Sequence, residues 1–455
     1  MKILFTQDAL VNAGAERSHL EILSRFSEEV DVGFVYFYPK DDLKKAYQRA
    51  GIRLFFLDIP ESYHFILAIR RLVKLIRQEK PDLLVSSLWR ADIITRIASW
   101  ITGVPLVGTL VNDSYAPLAW TDKKGLKYKV VYWLDRLTSS IPIHWIANAE
   151  ALTNSHVKML GIKKDKISVV YRGRPVPKPR SLPVPQMEGL PKPELNHEKS
   201  VDCEDIVQGD HSHRSVSLQA ETTNRNFISY GRLLERKGFQ DAIYAFSEVQ
   251  KKYPDCSLTI FGEGPYRREL ERQVHYLGLE KTVFLPGKIP NPIDTLIDGF
   301  YLEVSNTSKP QHKEIVSSTS KSTICVPAYR KNYQQLTKAH CFLFPSWYEG
   351  FSGALIEAMM AGMPIIASDI PMNLEAIENQ KSALVFPVKD VKVLSEKMLW
   401  AIENPEVMTI LGSKAQKTAK ERFDIDKIAM QYEEMLFQVA KRKKIGEPKV
   451  KENDL

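Results

Sequence analysis

The chain has 455 residues, of which 44% are hydrophobic and 26% charged, and a net charge of +8. That length implies two domains, each with its own core, and the composition is that of a globular protein rather than a disordered chain. No stretch approaches the ~18–20 apolar residues of a membrane span, and no nucleic-acid-binding motif accompanies the basic charge, so nucleic acid is set aside as a partner.

The N-terminus reads directly into a buried strand at 2–6, without the apolar run and cleavage site of a signal peptide. The loop Asn12-Ala13-Gly14-Ala15-Glu16-Arg17 follows and opens a helix at 15–26 with Leu20, Leu23 and Phe26 on one face. Further strands read at 30–38, 53–57, 83–87, 106–111, 145–148 and 168–171, with helical patterns between them. Such alternation means a parallel sheet covered on both faces. Two basic stretches stand out. Residues 66–77 carry Ile69, Leu72, Val73 and Ile76 at helical spacing among Arg70, Arg71, Lys74 and Arg77, and residues 123–133 combine lysines with aromatics. Each suits either an ordinary surface helix or one lying on an anionic membrane.

Residues 175–224 open with prolines and continue through polar residues, which reads as a disordered linker insertion. A second alternating series starts at 227–230. It continues with a helix at 239–251, strands at 257–261 and 282–285, a Ser-, Thr- and Lys-rich irregular stretch at 291–328, a strand at 341–344, a helix and a strand at 364–368. A helix over 424–443 and a charged tail close the chain. The expected organisation is therefore a domain at 1–174, a linker at 175–224, a domain at 225–423 with an insertion at 291–328, and a C-terminal helix and tail at 424–455. Ligands bind beyond the carboxyl ends of such sheets, so two facing edges make a cleft. The four cysteines, Cys203, Cys256, Cys325 and Cys341, are scattered without paired spacing. That points to a reducing cytoplasm and against a disulfide framework or zinc site. His211 and His213 lack ligand spacing with Cys203.

The most informative segment runs from Ser346 to Pro364. It sets Glu349 in a glycine-rich loop and Glu357, with seven residues between them, two turns into a helix that Ser352 can cap and Gly362 can end. Backbone N–H groups and carboxylates then converge on one concave spot, which suits a polyhydroxylated, phosphate-bearing ligand. Upstream, Tyr230-Gly231-Arg232-Leu233-Leu234-Glu235-Arg236-Lys237-Gly238 follows a strand and opens a helix. Arg232 gives a bidentate fork and Lys237 a point charge, together balancing the charge of a departing phosphate without a metal. Gly14 lets backbone approach a phosphate at a helix N-terminus. After an N-domain strand, Asn112 can hydrogen-bond a hydroxyl. Asp113 reads either as a base or as an Asx turn. Gly262-Glu263-Gly264-Pro265 reads as a turn after a strand.

The Glu349/Glu357 segment resembles the E-x7-E signature of the retaining glycosyltransferases of family four. Arg232 and Lys237 match that family's G-R-x4-K-G, and residues 12–17 its G-G-A-E-R loop with Ala13 in place of the first glycine. The resemblance covers roughly 1–174, 225–290 and 329–440. It implies the α/β GT-B fold: two tandem Rossmann-like, doubly wound parallel-sheet domains facing across a cleft, the first on the acceptor side and the second binding a nucleotide sugar. It assigns Glu349 to the donor-sugar hydroxyls beside the backbone of Phe351, Ser352 and Gly353. Glu357 would take the ribose hydroxyls, and Gly287-Lys288 would form the loop around the base. Asn112 stands near the place where many members carry a histidine. The C-terminal helix is expected to cross back onto the first domain. The implied reaction is transfer from a nucleotide-diphosphate sugar to a glycan or lipid-linked acceptor with retention, with no metal or other cofactor, in the cytoplasm or on the inner face of its membrane. Two alternatives stay open: a nucleotide-sugar epimerase of the same fold, and a nucleotide-sugar-binding protein without catalysis.

Overall fold

The computed structural model describes residues 1–60, 64–115, 125–177, 225–289, 291–298, 300–301, 336–337 and 340–446. Most of the two expected insertions (178–224 of 175–224 and 302–328 of 291–328), Lys123, Lys124 and the tail from 447 lie outside the described residues.

Strands β1 (Lys2–Gln7), β2 (Asp31–Tyr36), β3 (Arg53–Phe56), β4 (Leu83–Ser86), β5 (Leu106–Leu110), β6 (His144–Ala147) and β7 (Ile167–Val169) form one sheet in the order β3-β2-β1-β4-β5-β6-β7. Strands β8 (Asn226–Tyr230), β9 (Ser257–Phe261), β10 (Val283–Gly287), β13 (Cys341–Phe344), β14 (Ile365–Ser368) and β15 (Leu384–Phe386) form a second, in the order β10-β9-β8-β13-β14-β15. A short antiparallel pair, β11 (Phe300–Tyr301) with β12 (Leu336–Thr337), stands apart. Every pairing in the two large sheets is parallel. This meets the expectation of two doubly wound domains. Both orders reverse direction once, between β1 and β4 and between β8 and β13. At such switch points the outgoing loops diverge and leave a crevice. The Gly14 helix follows β1, the Arg232–Lys237 loop follows β8, and the Glu349 loop follows β13.

The irregular reading of 291–328 needs correction at its start. Residues Pro292–Asp298 form a helix. Leu296 and Thr295 are buried, and Leu296 shares a core with Leu355, Ile356 and Met359 of the Gly353–Met360 helix. Seven residues are too few to establish a helical period in the sequence.

The chain crosses between the domains twice, and the crossings bond to each other. The outgoing segment Tyr171–Arg174 meets the returning segment Phe423–Ile425: the Arg174 N–H donates to Phe423 O at 2.9 Å and the Ile425 N–H to Arg174 O at 3.1 Å. Gly173 makes this approach possible, because a methyl there would lie 2.7 Å from Ile425 Cα. Tyr171, Phe351 and Phe423 close an aromatic cluster at the same point, with ring centroids 5.1–5.6 Å apart. Beyond the crossing, helix Ile425–Gly446 buries Ile428, Ala429, Tyr432, Leu436 and Val439 in one core with Ile3, Phe5, Leu23 and Val30. Other contacts join the domains directly. The carboxylate of Glu375 accepts from the N–H groups of Glu150 (2.8 Å) and Ala151 (2.5 Å), capping an N-domain helix. Gly350 sits so close to the other domain that a methyl would lie 2.1 Å from Val111 O.

Replacing Gly173 with alanine therefore forces the two crossings apart. The expected cost is on the order of 1–3 kcal/mol, read as a lowered denaturation midpoint. An unchanged midpoint would contradict the packing described.

Candidate active site

The two carboxylates of the Ser346–Pro364 segment are both buried and both held by cations. Ser346 Oγ donates to Glu349 Oε1 at 3.0 Å. Lys237 Nζ pairs with the same oxygen, and Arg236 Nη1 lies 3.5 Å from Oε2. Burial alone would raise the Glu349 pKa. The charges of Lys237 and Arg236 and the hydrogen bonds from Lys237 and Ser346 outweigh it and hold the carboxyl below its usual range. Glu349 is thus an anion fixed in position.

Glu357 lies one turn into the Gly353–Met360 helix, not two: the Ser352 cap stands where expected, and only four positions separate Gly353 from Glu357. Arg174 Nε donates to its Oε1 at 2.5 Å, and the Tyr230 hydroxyl to its Oε2 at 2.7 Å. Arg174 Nη1 donates to Gly173 O at 2.9 Å. Its guanidinium lies over the helix start, where a methyl on Gly353 would fall 1.9 Å from Nη2. Both oxygens of the carboxylate expected at the ribose are therefore engaged by protein groups. Burial and then the Glu357 charge push the Tyr230 pKa well up, so its hydroxyl stays a donor. Ser352 is the N-cap residue, but its hydroxyl makes no capping bond.

The N-domain supplies the opposite wall. The helix Gly14–Leu23 starts after Ala13, which is extended at φ −132°, a conformation open to any residue. Glu16, 4% exposed, lies in its first turn. Burial pushes this carboxyl up to about 7, against the pull of its own N–H and of the Arg172 and Arg232 charges. Arg232 itself is exposed. Asn112 abuts the Glu349 loop, its Cα 3.3 Å from a methyl built on Gly350. Asp113 accepts from Ser155 Oγ at 2.8 Å. Gly287 ends β10 at φ +97° with Lys288 exposed beside it. The fold thus brings Glu349 and Lys237 into direct contact, with Arg232, Gly14, Asn112, Phe351, Ser352, Gly353 and Glu357 around the same cleft.

Five residues of this cleft were not among those expected from sequence: Glu16, Arg172, Arg174, Tyr230 and Arg236. Glu16, Tyr230 and Arg236 sit inside the motifs already singled out. The signal for the other two is Tyr171-Arg172-Gly173-Arg174-Pro175, two arginines about a glycine at the end of the first domain. The triplet Asp424-Ile425-Asp426 also has D-x-D spacing. Its Asp426 pairs with Arg25 at 2.6 Å, and Asp424 accepts the Asp426 N–H at 3.0 Å.

Removing one partner of the Arg174–Glu357 pair strands the other as a buried charge. Arg174→Met or Glu357→Leu alone should each cost about 3–5 kcal/mol of stability, and the double variant clearly less than the sum. Additive losses in denaturant titrations would show that the pair is not coupled.

Residues 13–176 match the family model described as Glycosyltransferase Family 4, and residues 213–299 and 322–418 the model described as Glycosyl transferases group 1. The chain is 22% identical to the capsular polysaccharide biosynthesis glycosyltransferase CapM of Staphylococcus aureus over 81% of its own length and 80% of that protein. It is 27% identical to the uncharacterized glycosyltransferase MJ1059 of Methanocaldococcus jannaschii over 31% of its length, spanning 25% of that protein. Among solved structures, Anabaena HepE in complex with UDP-glucose aligns with a TM-score of 0.69 at 19% identity, over 96% of this chain and 100% of that one. Sucrose-phosphate synthase from Thermosynechococcus elongatus aligns with a TM-score of 0.67 at 14% identity, over 97% and 99%. The two models lie on the two domains in order, and the fold is shared end to end: the chain belongs to the family-four, group 1 glycosyltransferases and has their GT-B fold.

Proposed function

We propose that this chain transfers a sugar from a nucleotide-diphosphate sugar to a hydroxyl of a glycan or lipid-linked acceptor, with retention of configuration, in cell-surface polysaccharide assembly. The observation that carries this reading is Glu349, held as an anion by Lys237, Arg236 and Ser346 beside a helix start, in a loop that meets Val111 and Asn112 of the first domain. The arrangement offers acceptors for sugar hydroxyls next to cations and backbone N–H groups for a diphosphate. CapM, by its name, works in capsular polysaccharide biosynthesis, and HepE was solved with UDP-glucose. Both support the class of reaction proposed.

In this reaction the bond from the anomeric carbon to the phosphate oxygen breaks, and its electron pair leaves on the diphosphate. The acceptor oxygen bonds to the same face of the carbon, and its proton passes to the departing phosphate. Arg232 and Lys237 stabilise the charge that grows there, and Glu349 holds the sugar. Glu349 and Glu357 are tied to cationic partners, which suits positioning rather than the nucleophile and acid of a hydrolase.

The test is a turnover and binding screen against nucleotide-diphosphate sugars. Glu349→Gln should abolish transfer while leaving nucleotide binding intact. Lys237→Ala should raise the barrier by about 2–4 kcal/mol, and activity should persist in EDTA. Binding without any turnover, with lipid-extract acceptors present, would instead make the chain a nucleotide-sugar-binding protein.

We also propose contact with an anionic membrane at its cytoplasmic face. Helix Leu126–Thr138 exposes Leu126, Val130, Trp133 and Leu137 along one stripe, at 77%, 50%, 55% and 71% exposure. The buried Arg96–Asp135 pair at 2.6 Å ties this helix to helix Trp89–Thr102, which exposes Trp100 and Ile101. Helix Phe65–Glu79 also packs against helix Trp89–Thr102 and exposes Arg70, Arg71, Lys74 and Arg77. Aromatic and aliphatic side chains beside basic ones match an interfacial surface. The protein should sediment with phosphatidylglycerol vesicles, and Trp133→Glu with Leu137→Glu should release it. Equal sedimentation of the double variant would remove this surface from the account.

A further inference from the structure

The outgoing crossing Tyr171–Arg174, at the end of the first domain, brings two arginines into the cleft. Arg174 is committed to Glu357, whereas Arg172 has no such partner. Its Nε is shielded from solvent and makes no hydrogen bond. Glu349, Glu357 and Glu16 attract it from a distance, and no ion pair or hydrogen bond joins it to any described residue. Its guanidinium reaches the start of the Gly14 helix, where a methyl on Gly14 would lie 3.5 Å from Nη1. That helix has ten residues, and its N-cap Ala13 offers no side-chain bond to the first-turn N–H groups. A helix N-terminus and an unpartnered guanidinium side by side favour the same thing, an anion with several oxygens. Burial and the nearby Arg174 push the Arg172 pKa down to about 10, which still leaves it a cation at neutral pH. Arg232, which also attracts Glu16, flanks the same place from the second domain and makes no ion pair with a described residue.

We propose that Arg172 binds the diphosphate of the donor, as a cation supplied by the outgoing crossing in addition to Arg232 and Lys237 of the nucleotide-binding domain. This rests on the nucleotide-diphosphate-sugar reading above. Because Arg172 stands where the chain passes between domains, the leaving group is held by three separate stretches: the Gly14 loop, the outgoing crossing and the loop after β8. The crossing, already held by its backbone pairing, presents Arg172 to the phosphates in advance.

The experiment is titration calorimetry of the full chain with inorganic pyrophosphate, UDP and uridine, comparing wild type with Arg172→Met and Arg172→Lys. The expected result is a loss of about 10- to 100-fold in pyrophosphate and UDP affinity for Arg172→Met, a smaller loss for Arg172→Lys, and no change for uridine. Unchanged pyrophosphate and UDP binding by Arg172→Met would overturn the proposal while leaving the donor reading intact. Equal losses for UDP and uridine would mark a structural role and also overturn it. A wild type that binds neither pyrophosphate nor UDP overturns the donor reading, and the proposal with it. Should the variants fail to fold, phenylglyoxal labelling of Arg172 in the wild type decides. Pyrophosphate must block the labelling, and labelling that pyrophosphate leaves unchanged counts against the assignment.

Discussion

The cleft is organised by one place in the chain, where the outgoing and returning crossings between the domains are hydrogen-bonded to each other. Arg174 sits in that pairing through its backbone, and through its side chain it grips Glu357 of the second domain. The outgoing crossing is therefore fixed at both its backbone and its charge. Fixing it there also fixes Arg172, two residues earlier, and Tyr171, whose ring packs on Phe351 in the Glu349 loop. The two sheets supply crevices at their switch points, and the crossing determines that the crevices face one another with these side chains between them.

The electrostatics follow from burial. Two carboxylates are buried in the cleft, and each would be costly there without a partner. Lys237 and Arg236 answer Glu349, while Arg174 and the Tyr230 hydroxyl answer Glu357. Glu16 is less well answered, and its carboxyl sits near 7 as a result. Arg172 and Arg232 lie on the side of the cleft where the first helix presents its N-terminus. The cleft thus separates into a face that accepts hydrogen bonds from hydroxyls and a face that attracts oxyanions. A sugar joined to a diphosphate carries both kinds of group within one small molecule.

The architecture is largely legible in the sequence. Buried parallel strands appear there as short apolar runs, such as Leu83–Ser86 and Cys341–Phe344, between helical patterns. The Glu349 loop and the Arg232–Lys237 loop are legible because each couples glycines with charge at a strand end. The pairings inside the cleft are not. Arg174 and Glu357 stand 183 positions apart, and nothing local in either segment announces the other. Arg172 and Arg174 are further hidden because they abut the proline-rich stretch that reads as the start of an insertion. The Pro292–Asp298 helix escapes because it is shorter than the window a period requires. The helix start at Gly353 is the one the Ser352 cap implies, and it places Glu357 one turn in.

The most direct test of this account is a crystal structure of the protein with the nucleotide-diphosphate sugar that it turns over. The account predicts phosphate oxygens within ~3 Å of Arg172, of Arg232 or Lys237, and of the first N–H groups of the Gly14 helix, with Glu349 hydrogen-bonded to the sugar. A diphosphate lodged elsewhere, with Arg172 still lacking a partner and Glu349 turned from the sugar, would contradict it.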